Sequence, residues 1–598
     1  MNTEVLESGV EAGGRMVPVG RGMTRRWFIR EGLAGSPGLS GGVVSRVLAA
    51  RGLGEPAAAE AFLEPKLTGL IDPALMPDID KATERLLRAL RDHEQIVIYG
   101  DYDVDGITST AILYRTLKAI LPGADVRTYV PHRLEEGYGL NGKAIELLAG
   151  HGAKVIVSVD CGITAVGPAL IARRCGVDLI ITDHHNPPAS MADLPDAYAV
   201  VHPRRPDSAY PFGELSGAGV AYKLAWRLAS ADGVDGRAVP AMRTLLVELL
   251  ALAALGAIAD IVPLVGENRV LTKHGLARLK HSPFIGVRAL VDACGLSGEK
   301  VGEYDVGFRL APRLNACGRM DHAKHAIELF TSDDGTRCAE IAEQLESANR
   351  ERRGVESEIV QQACELAGLQ GMTGSDRRAI VLADERWHAG VVGICCSRLV
   401  ERFCRPTILM QIDAETGEAH GSCRSIEGYN LHAGLEACAV HLKRFGGHDM
   451  AAGVALHKES IPAFVEAFTA HANAHIEADR LTHALRIDAE CSPSELTVPA
   501  VRRLLSLEPF GRGNPAIKLL LRGVTLASEP RRFGAGGPHL ELSLGDGVRR
   551  VSATAWRWGE QASKLARGMK VDAVIEPKID SYGGVHAAGV LVDLRAAT

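Results

Sequence analysis

Short apolar runs, stopped by acids and glycines, alternate with helical stretches along the first half of the chain. Gln95-Ile-Val-Ile-Tyr99 ends at a cluster of acids and Gly106, and residues 107–120 follow with helical character. Residues 126–130, 154–159 and 179–182 repeat the apolar run, with a helical segment at 144–149. Such alternation predicts an α/β domain, its parallel sheet flanked by helices on both faces. In residues 334–370, Ile341, Leu345, Ala348, Val355, Ile359 and Ala363 keep helical spacing among many charges, which predicts a long, largely solvated connecting helix. A second α/β domain is expected over 371–480. Short runs at 518–526, 539–544, 550–556, 570–575 and 585–594 predict a small β-barrel within 481–598. Residues 1–25 are Gly-rich and aperiodic and are expected to form a disordered leader. The first α/β domain and its N-terminal segment then occupy 26–333.

At 598 residues, about three to five domains are expected. A composition 46% hydrophobic and 23% charged excludes global disorder. The net charge of −6 means that any nucleic-acid-binding surface must be local. One candidate is the tail from Ala484 to Thr598, with 16 basic and 12 acidic residues. The 12 cysteines form no CxxC pair, which argues against a structural zinc site or a disulfide framework and favours reduced thiols in the cytoplasm. Residues 1–22 lack an apolar targeting core. Glu248 and Asp260 interrupt the most apolar stretch, 245–265, which is expected as a buried helix rather than a membrane span.

Four apolar runs end in groups that bind metals: Asp101-Tyr-Asp-Val-Asp-Gly106, Val159-Asp160-Cys-Gly162, Thr182-Asp183-His184-His185 and Gly256-Ala-Ile-Ala-Asp260. The alternate acids Asp101, Asp103 and Asp105 are expected to project to one side at the end of a strand. In open α/β sheets, binding groups collect outside the carboxyl ends of the strands. Each segment alone has a structural explanation, as a helix cap or a calcium-type loop. One pair of divalent cations accounts for all four together. Carboxylates with imidazoles suit Mn²⁺ or Mg²⁺ better than Zn²⁺. Two such ions clamp a phosphate, and the chemistry expected is hydrolysis of a phosphate ester or anhydride.

With these motifs, the chain resembles the DHH phosphoesterase superfamily. Pro131-His-Arg-Leu-Glu-Glu-Gly-Tyr-Gly-Leu-Asn141, Arg313-Leu-Asn-Ala-Cys-Gly-Arg319, Arg444-Phe-Gly-Gly-His448 and Glu508-Pro-Phe-Gly-Arg-Gly-Asn-Pro515 narrow the resemblance to the RecJ family of single-strand-specific 5′→3′ exonucleases, over residues 26–595. It implies Asp101, Asp103, Asp105, Asp160, His184 and Asp260 as ligands of two Mn²⁺ or Mg²⁺ ions, with Asp160 bridging. His185, Asp160 and Arg319 are implied as catalytic. The implied substrate contacts are Arg133, Tyr138, Arg313, Asn315 and Arg319 in the first domain. Ser422, Arg424, Ser425, Gly446, Gly447 and His448 supply them in a DHHA1-like second domain. The tail is implied to be an OB-fold tracking single strands, with Trp556 and Trp558 on one side of a strand. Single-stranded DNA is the implied substrate and 5′-nucleotides the products, in repair and recombination. Single-strand-binding protein and a helicase are implied partners of a monomer. A phosphodiesterase of short oligonucleotides or cyclic dinucleotides is the enzymatic alternative; Tyr99, standing where such relatives carry histidine, argues against it. A catalytically inactive nucleic-acid-binding scaffold is the alternative of another class.

Overall fold

The computed structural model describes residues 16–30, 42–132, 136–137, 139–231, 238–320, 323–582 and 584–597. It comprises two compact units. One is residues 60–350 with 507–515, and the other combines segments from 1–59, 351–506 and 516–598.

The chain's first described elements are β1 (Met16–Arg21) and β2 (Arg26–Arg30), an antiparallel hairpin with Met16 opposite Arg30. Residues 16–25 are therefore not disordered, contrary to the sequence expectation; the rest of the expected leader, 1–15, lies outside the described residues. In this hairpin Trp27 and Ile29 are fully buried, too short an alternation to stand out as a pattern.

In the first unit, β3 (Gln95–Tyr99), β4 (Val126–Tyr129), β5 (Ala153–Val159), β6 (Asp178–Thr182) and β7 (Ala199–Val201) form a parallel sheet of order β4-β3-β5-β6-β7. Alternate residues feed two cores. Ile96, Ile98, Val155 and Val157 pack with the helices Ile79–Arg91, Val104–Ile120 and Gly217–Ser230. Val97, Tyr99, Ile156 and Ile181 pack with Gly142–Gly150 and Val166–Arg174. The strand order reverses between β3 and β5, and at such a switch point the loops leaving the carboxyl ends diverge and open a crevice. The helix Pro240–Ala259 is long and apolar enough to cross a membrane, but every residue from Leu249 to Ala257 is buried within this unit. Gly275 of the next helix lies so close that an added Cβ would meet the Leu250 carbonyl.

The helix Gly335–Leu369 carries the chain from one unit to the other. Its 35 residues span roughly 50 Å at 1.5 Å each. In the second unit, β8 (Ile380–Asp384), β9 (Thr407–Ile412), β10 (Glu418–Arg424), β11 (Arg444–Gly447) and β12 (Ala451–His457) form a mixed sheet of order β11-β12-β10-β9-β8.

Next come β13 (Ala484–Ile487), β14 (Ala489–Glu490), β15 (Leu519–Leu526), β16 (Arg531–Phe533), β17 (His539–Gly545), β18 (Arg550–Ala555), β19 (Lys570–Asp580) and β20 (His586–Ala596). β13 runs parallel to β2, and Trp27 and Ile29 pack against Leu485, Ile487, Leu520 and Val574. Trp27 Nε1 donates to Asp593 Oδ2 at 2.9 Å. β15 pairs with β19 and also with β17, so β15-β19-β20-β18-β17 closes into a five-stranded barrel. The two tryptophans do not share a strand face. β18 ends at Ala555, Arg557 adopts φ 62°, and this turn leaves Trp556 53% exposed while Trp558 is buried.

Candidate metal and phosphodiester site

The acidic motif after β3 is a strand-to-helix turn, not the extended segment its alternate spacing predicts. Asp103 caps the helix Val104–Ile120, accepting from the amides of Asp105 and Gly106 at 2.9 and 3.1 Å. Asp105 is thereby in the first helical turn. Its oxygens accept from Gly217 N–H (2.6 Å) and Ala218 N–H (2.9 Å) at the start of another helix. Asp160, directly after β5, adopts φ 60° and donates its amide to the Thr182 carbonyl at 3.0 Å. A left-handed non-glycine residue costs free energy that its surroundings must offset, which marks this position as one the fold enforces. A Cβ on Gly217 would stand 2.5 Å from Asp160 Oδ1, so glycine is required for the approach.

Asp183 follows β6, but its carboxylate is committed to its own neighbours rather than to the acidic cluster. Its Oδ1 accepts from His184 N–H (2.7 Å), His185 N–H (3.1 Å) and His185 Nδ1 (2.8 Å), and its Oδ2 from Ile163 N–H (2.9 Å). Burial would raise its pKa, but the hydrogen bond and charge of His185 outweigh burial and hold it at about 2. Asp183 thus orients the two histidines. His184 Nε2 then lies 3.2 Å from Asp160 Oδ1, 3.5 Å from Asp260 Oδ2 and 3.8 Å from Asp105 Oδ2.

These groups fit a divalent cation. His184 Nε2 is buried without a hydrogen-bond partner among the described residues, and burial with the charge of His185 lowers its pKa to about 3, the neutral form a metal needs. Burial, then the charges of neighbouring carboxylates, push Asp105 and Asp160 well above the usual carboxylate range. The same causes bring Asp260 to about 7, with burial first and the charge of Asp103 second. Carboxylates crowded this way require a compensating positive charge to remain ionised together. Three sets have ligand atoms within 4.8 Å of one another: Asp160, His184 and His185; Asp105, His184 and Asp260; and Asp101, Asp103 and Asp160. Asp160 is in two of them.

Around the cluster are groups that the motif reading passed over. Fully buried His202 places Nε2 2.8 Å from the His185 carbonyl, and Arg204 donates to the His184 carbonyl at 2.6 Å. Their signal was His202-Pro-Arg204, another polar segment closing a strand. Arg512 was passed over as well, and its charge lowers the pKa of Asp260.

The expected substrate residues fare unevenly. Arg133 and Tyr138 lie outside the described residues, as does the side chain of Arg319. Arg313-to-Arg319 lies in the helix Ala311–Met320. There Arg313 forms a 2.5 Å ion pair with Glu346 and donates to the Arg309 carbonyl, so its charge has a structural partner. Asn315 is half-buried on this helix. Gly318 packs so that an added Cβ would sit 2.9 Å from the Tyr102 carbonyl, which brings the helix against the acidic turn.

In the second unit, Ser422, Gly453 and Gly446 share one row across β10, β12 and β11. The first turn of the helix Val392–Phe403 adjoins this row: a Cβ on Gly393 would lie 3.1 Å from Ser422 Oγ and 3.6 Å from Arg424 Nη2. Gly447, at φ 139°, and exposed His448 end β11. Ser425 is buried, and its hydroxyl donates to the Tyr429 carbonyl at 2.8 Å.

Family comparisons agree with these parts. The DHH family N-terminal domain matches residues 95–256, the DHHA1 domain 376–474 and the RecJ OB domain 487–593. The single-stranded-DNA-specific exonuclease RecJ of Bacillus subtilis (strain 168) is 37% identical over 540 residues, covering 90% of this chain; the match spans 66% of that protein. The RecJ of Thermus thermophilus is 37% identical over 502 residues, 82% of this chain and 68% of that protein. The crystal structure of RecJ from Thermus thermophilus with Mn²⁺ superposes with TM-score 0.76 at 32% identity, covering 93% of this chain and 76% of that one. A structure of the same organism's RecJ with Mg²⁺ gives 0.71 at 31% identity, covering 93% and 74%. With its three domain types, its metal-type cluster and these relatives in agreement, the chain belongs to the RecJ family of single-stranded-DNA-specific exonucleases.

Proposed function

We propose that this chain is a two-metal exodeoxyribonuclease that degrades single-stranded DNA 5′→3′ and releases 5′-nucleotides in repair and recombination. The observation that carries the reading is the convergence of Asp105, Asp160 and Asp260 on His184 Nε2, which has no hydrogen-bond partner among the described residues. Asp101, Asp103, Asp105, Asp160, His184 and Asp260 would hold two Mn²⁺ or Mg²⁺ ions, with Asp160, common to two ligand sets, as the bridge. When bound, such a pair stabilises charge on the attacking and leaving oxygens of a phosphodiester. Asp183 holds His185 to orient or protonate a phosphate oxygen. Arg319, Arg133, Tyr138 and Asn315 are assigned to the strand in the first unit. Ser422, Arg424, Gly446, Gly447 and His448 are assigned to its phosphate or sugar in the second. A cytoplasmic monomer working with single-strand-binding protein and a helicase completes the proposal.

Digestion of end-labelled single-stranded and blunt duplex DNA with Mn²⁺, Mg²⁺ or EDTA tests it. The expected result is metal-dependent loss of a 5′ label from single strands as mononucleotide, with duplex largely spared. Equal rates on both substrates, or activity in EDTA, would overturn it.

A further inference from the structure

The segment Glu508-Pro-Phe-Gly-Arg-Gly-Asn-Pro515 supplies none of the metal-type ligands described above. In sequence it joins the helix Val498–Leu505 to β15, yet residues 507–515 belong to the unit that holds the acidic cluster, while both flanks belong to the other. Its backbone is held at many points. Fully buried Arg269 donates to the carbonyls of Leu507 (2.8 Å) and Glu508 (3.0 Å). Asn514, also buried, donates to the carbonyls of Leu507 and Pro509, both at 2.8 Å. Glu303 accepts from Phe510 N–H at 3.0 Å.

The tip of this segment meets the loop that follows Asp260. Leu264 N–H donates to the Arg512 carbonyl at 2.8 Å. The glycines on either side permit that approach. A Cβ at Gly511 would stand 2.8 Å from Leu264 Cδ1. One at Gly513, where φ is +74°, would stand 3.1 Å from Pro263 Cβ. Arg512 is therefore the one long side chain at the tip. It is exposed, and its guanidinium has no ion pair among the described residues. The Leu264 contact holds its backbone beside the loop that starts at Asp260. Arg204, beside the histidines, is already committed to the His184 carbonyl.

We infer that Arg512 is a substrate-binding residue, its guanidinium pairing with a backbone phosphate of the strand where it enters the site beside Asp260. A planar guanidinium offers two parallel donors to phosphate oxygens, which a lysine does not. The hydrogen-bonded segment fixes its backbone, so the freedom lost on binding is that of the side chain alone. The inference rests on the reading of this site as a nuclease centre and adds a phosphate contact to those assigned above.

The test compares wild type with Arg512→Ala and Arg512→Lys. Binding of a fluorescent 5′-phosphorylated single strand is followed by anisotropy with EDTA present, and degradation is followed with Mn²⁺. For Arg512→Ala, affinity is expected to fall about tenfold, and KM to rise similarly while kcat changes less than about threefold. The slope of log affinity against log salt should become shallower by about 0.7, the value for one lost single-strand phosphate contact. Arg512→Lys should retain the wild-type slope and recover part of the affinity, which separates lost charge from a disturbed loop. Unchanged affinity and slope in Arg512→Ala would overturn the inference, as would a fall in kcat with KM unchanged. An inactive wild type whose DNA affinity still depends on Arg512 would count against the nuclease reading alone.

Discussion

Asp183 Oδ1 lies 2.8 Å from His185 Nδ1 and also receives the amides of His184 and His185. One carboxylate oxygen thus fixes both the ring and the backbone of the histidine pair, and thereby aims His184 Nε2 at the acidic cluster. Residues that orient metal ligands are typically worth about 10–100-fold in metal affinity or activity. Asp183→Asn is expected to lower activity by about that factor. A Mn²⁺ titration of activity should show a raised metal requirement. Wild-type activity at limiting Mn²⁺ would show that the histidines are held by other contacts.

Asp160 is expected to be indispensable for turnover. In Asp160→Asn, hydrolysis should be lost at saturating Mn²⁺, while the metal-free protein melts no lower than wild type, because one of several crowded buried carboxylates has been removed. Mn²⁺ should raise the wild-type Tm. At a hundredfold excess over Kd, binding stabilises by about 2.7 kcal/mol, and the variant should gain clearly less. Calorimetry with and without metal reads both effects.

Arg269 serves stability at a distance from the chemistry. It is 1% exposed and donates to the carbonyls of Phe62, Leu507 and Glu508. Arg269→Ala leaves these acceptors buried without their donor and should destabilise by about 3–5 kcal/mol. Urea denaturation of the full chain would detect it, and a loss below about 1 kcal/mol would mean that water replaces the guanidinium.

Trp556 is set apart from the barrel core. Its ring meets His539 edge-on at 4.7 Å and Phe533 at 5.7 Å, while more than half of the residue is open to solvent. If it stacks a base, Trp556→Ala should weaken binding of a long single strand by about 1–3 kcal/mol. Thermal stability should change little. Equal affinity of wild type and variant in anisotropy titrations would remove Trp556 from the strand's path. Truncation near residue 480 is a poorer test of the barrel, because β13 pairs with β2 and residues 507–508 accept from Arg269.

Much of the site was legible because strand ends are legible. Asp101, Asp160 and Asp183 each follow a run of β-type residues, and a parallel sheet gathers such ends along one edge. Asp260 was found by an unlike signal, a lone acid closing an apolar helix. The error at Asp103 and Asp105 came from reading alternate spacing as extended chain. Gly106 lies where an added Cβ would meet the Asp101 carbonyl at 2.6 Å, and that close turn redirects the three acids into a helix start. The partner of Arg313 was not legible, because an arginine near glycines looks the same whether or not it pairs with Glu346, which stands 33 residues later.

By itself, the sequence determined most of the element types, the three domain classes and which segments carry metal-type side chains, since these depend on local periodicity and on side-chain chemistry. Tertiary structure decided which of those residues meet. Asp183 turns from the acids to the histidines because three backbone N–H donors and one ring nitrogen converge on it. Residues 26–30 pair with the neighbouring β1 on one side and with β13, more than 450 residues away, on the other. Arg512 reaches the neighbourhood of Asp260 because buried Arg269 and Asn514 fold its segment onto the first unit. The Ile163–Asp183, β2–β13 and Arg269–Leu507 contacts each join segments far apart in the chain, and no local window of sequence contains both partners.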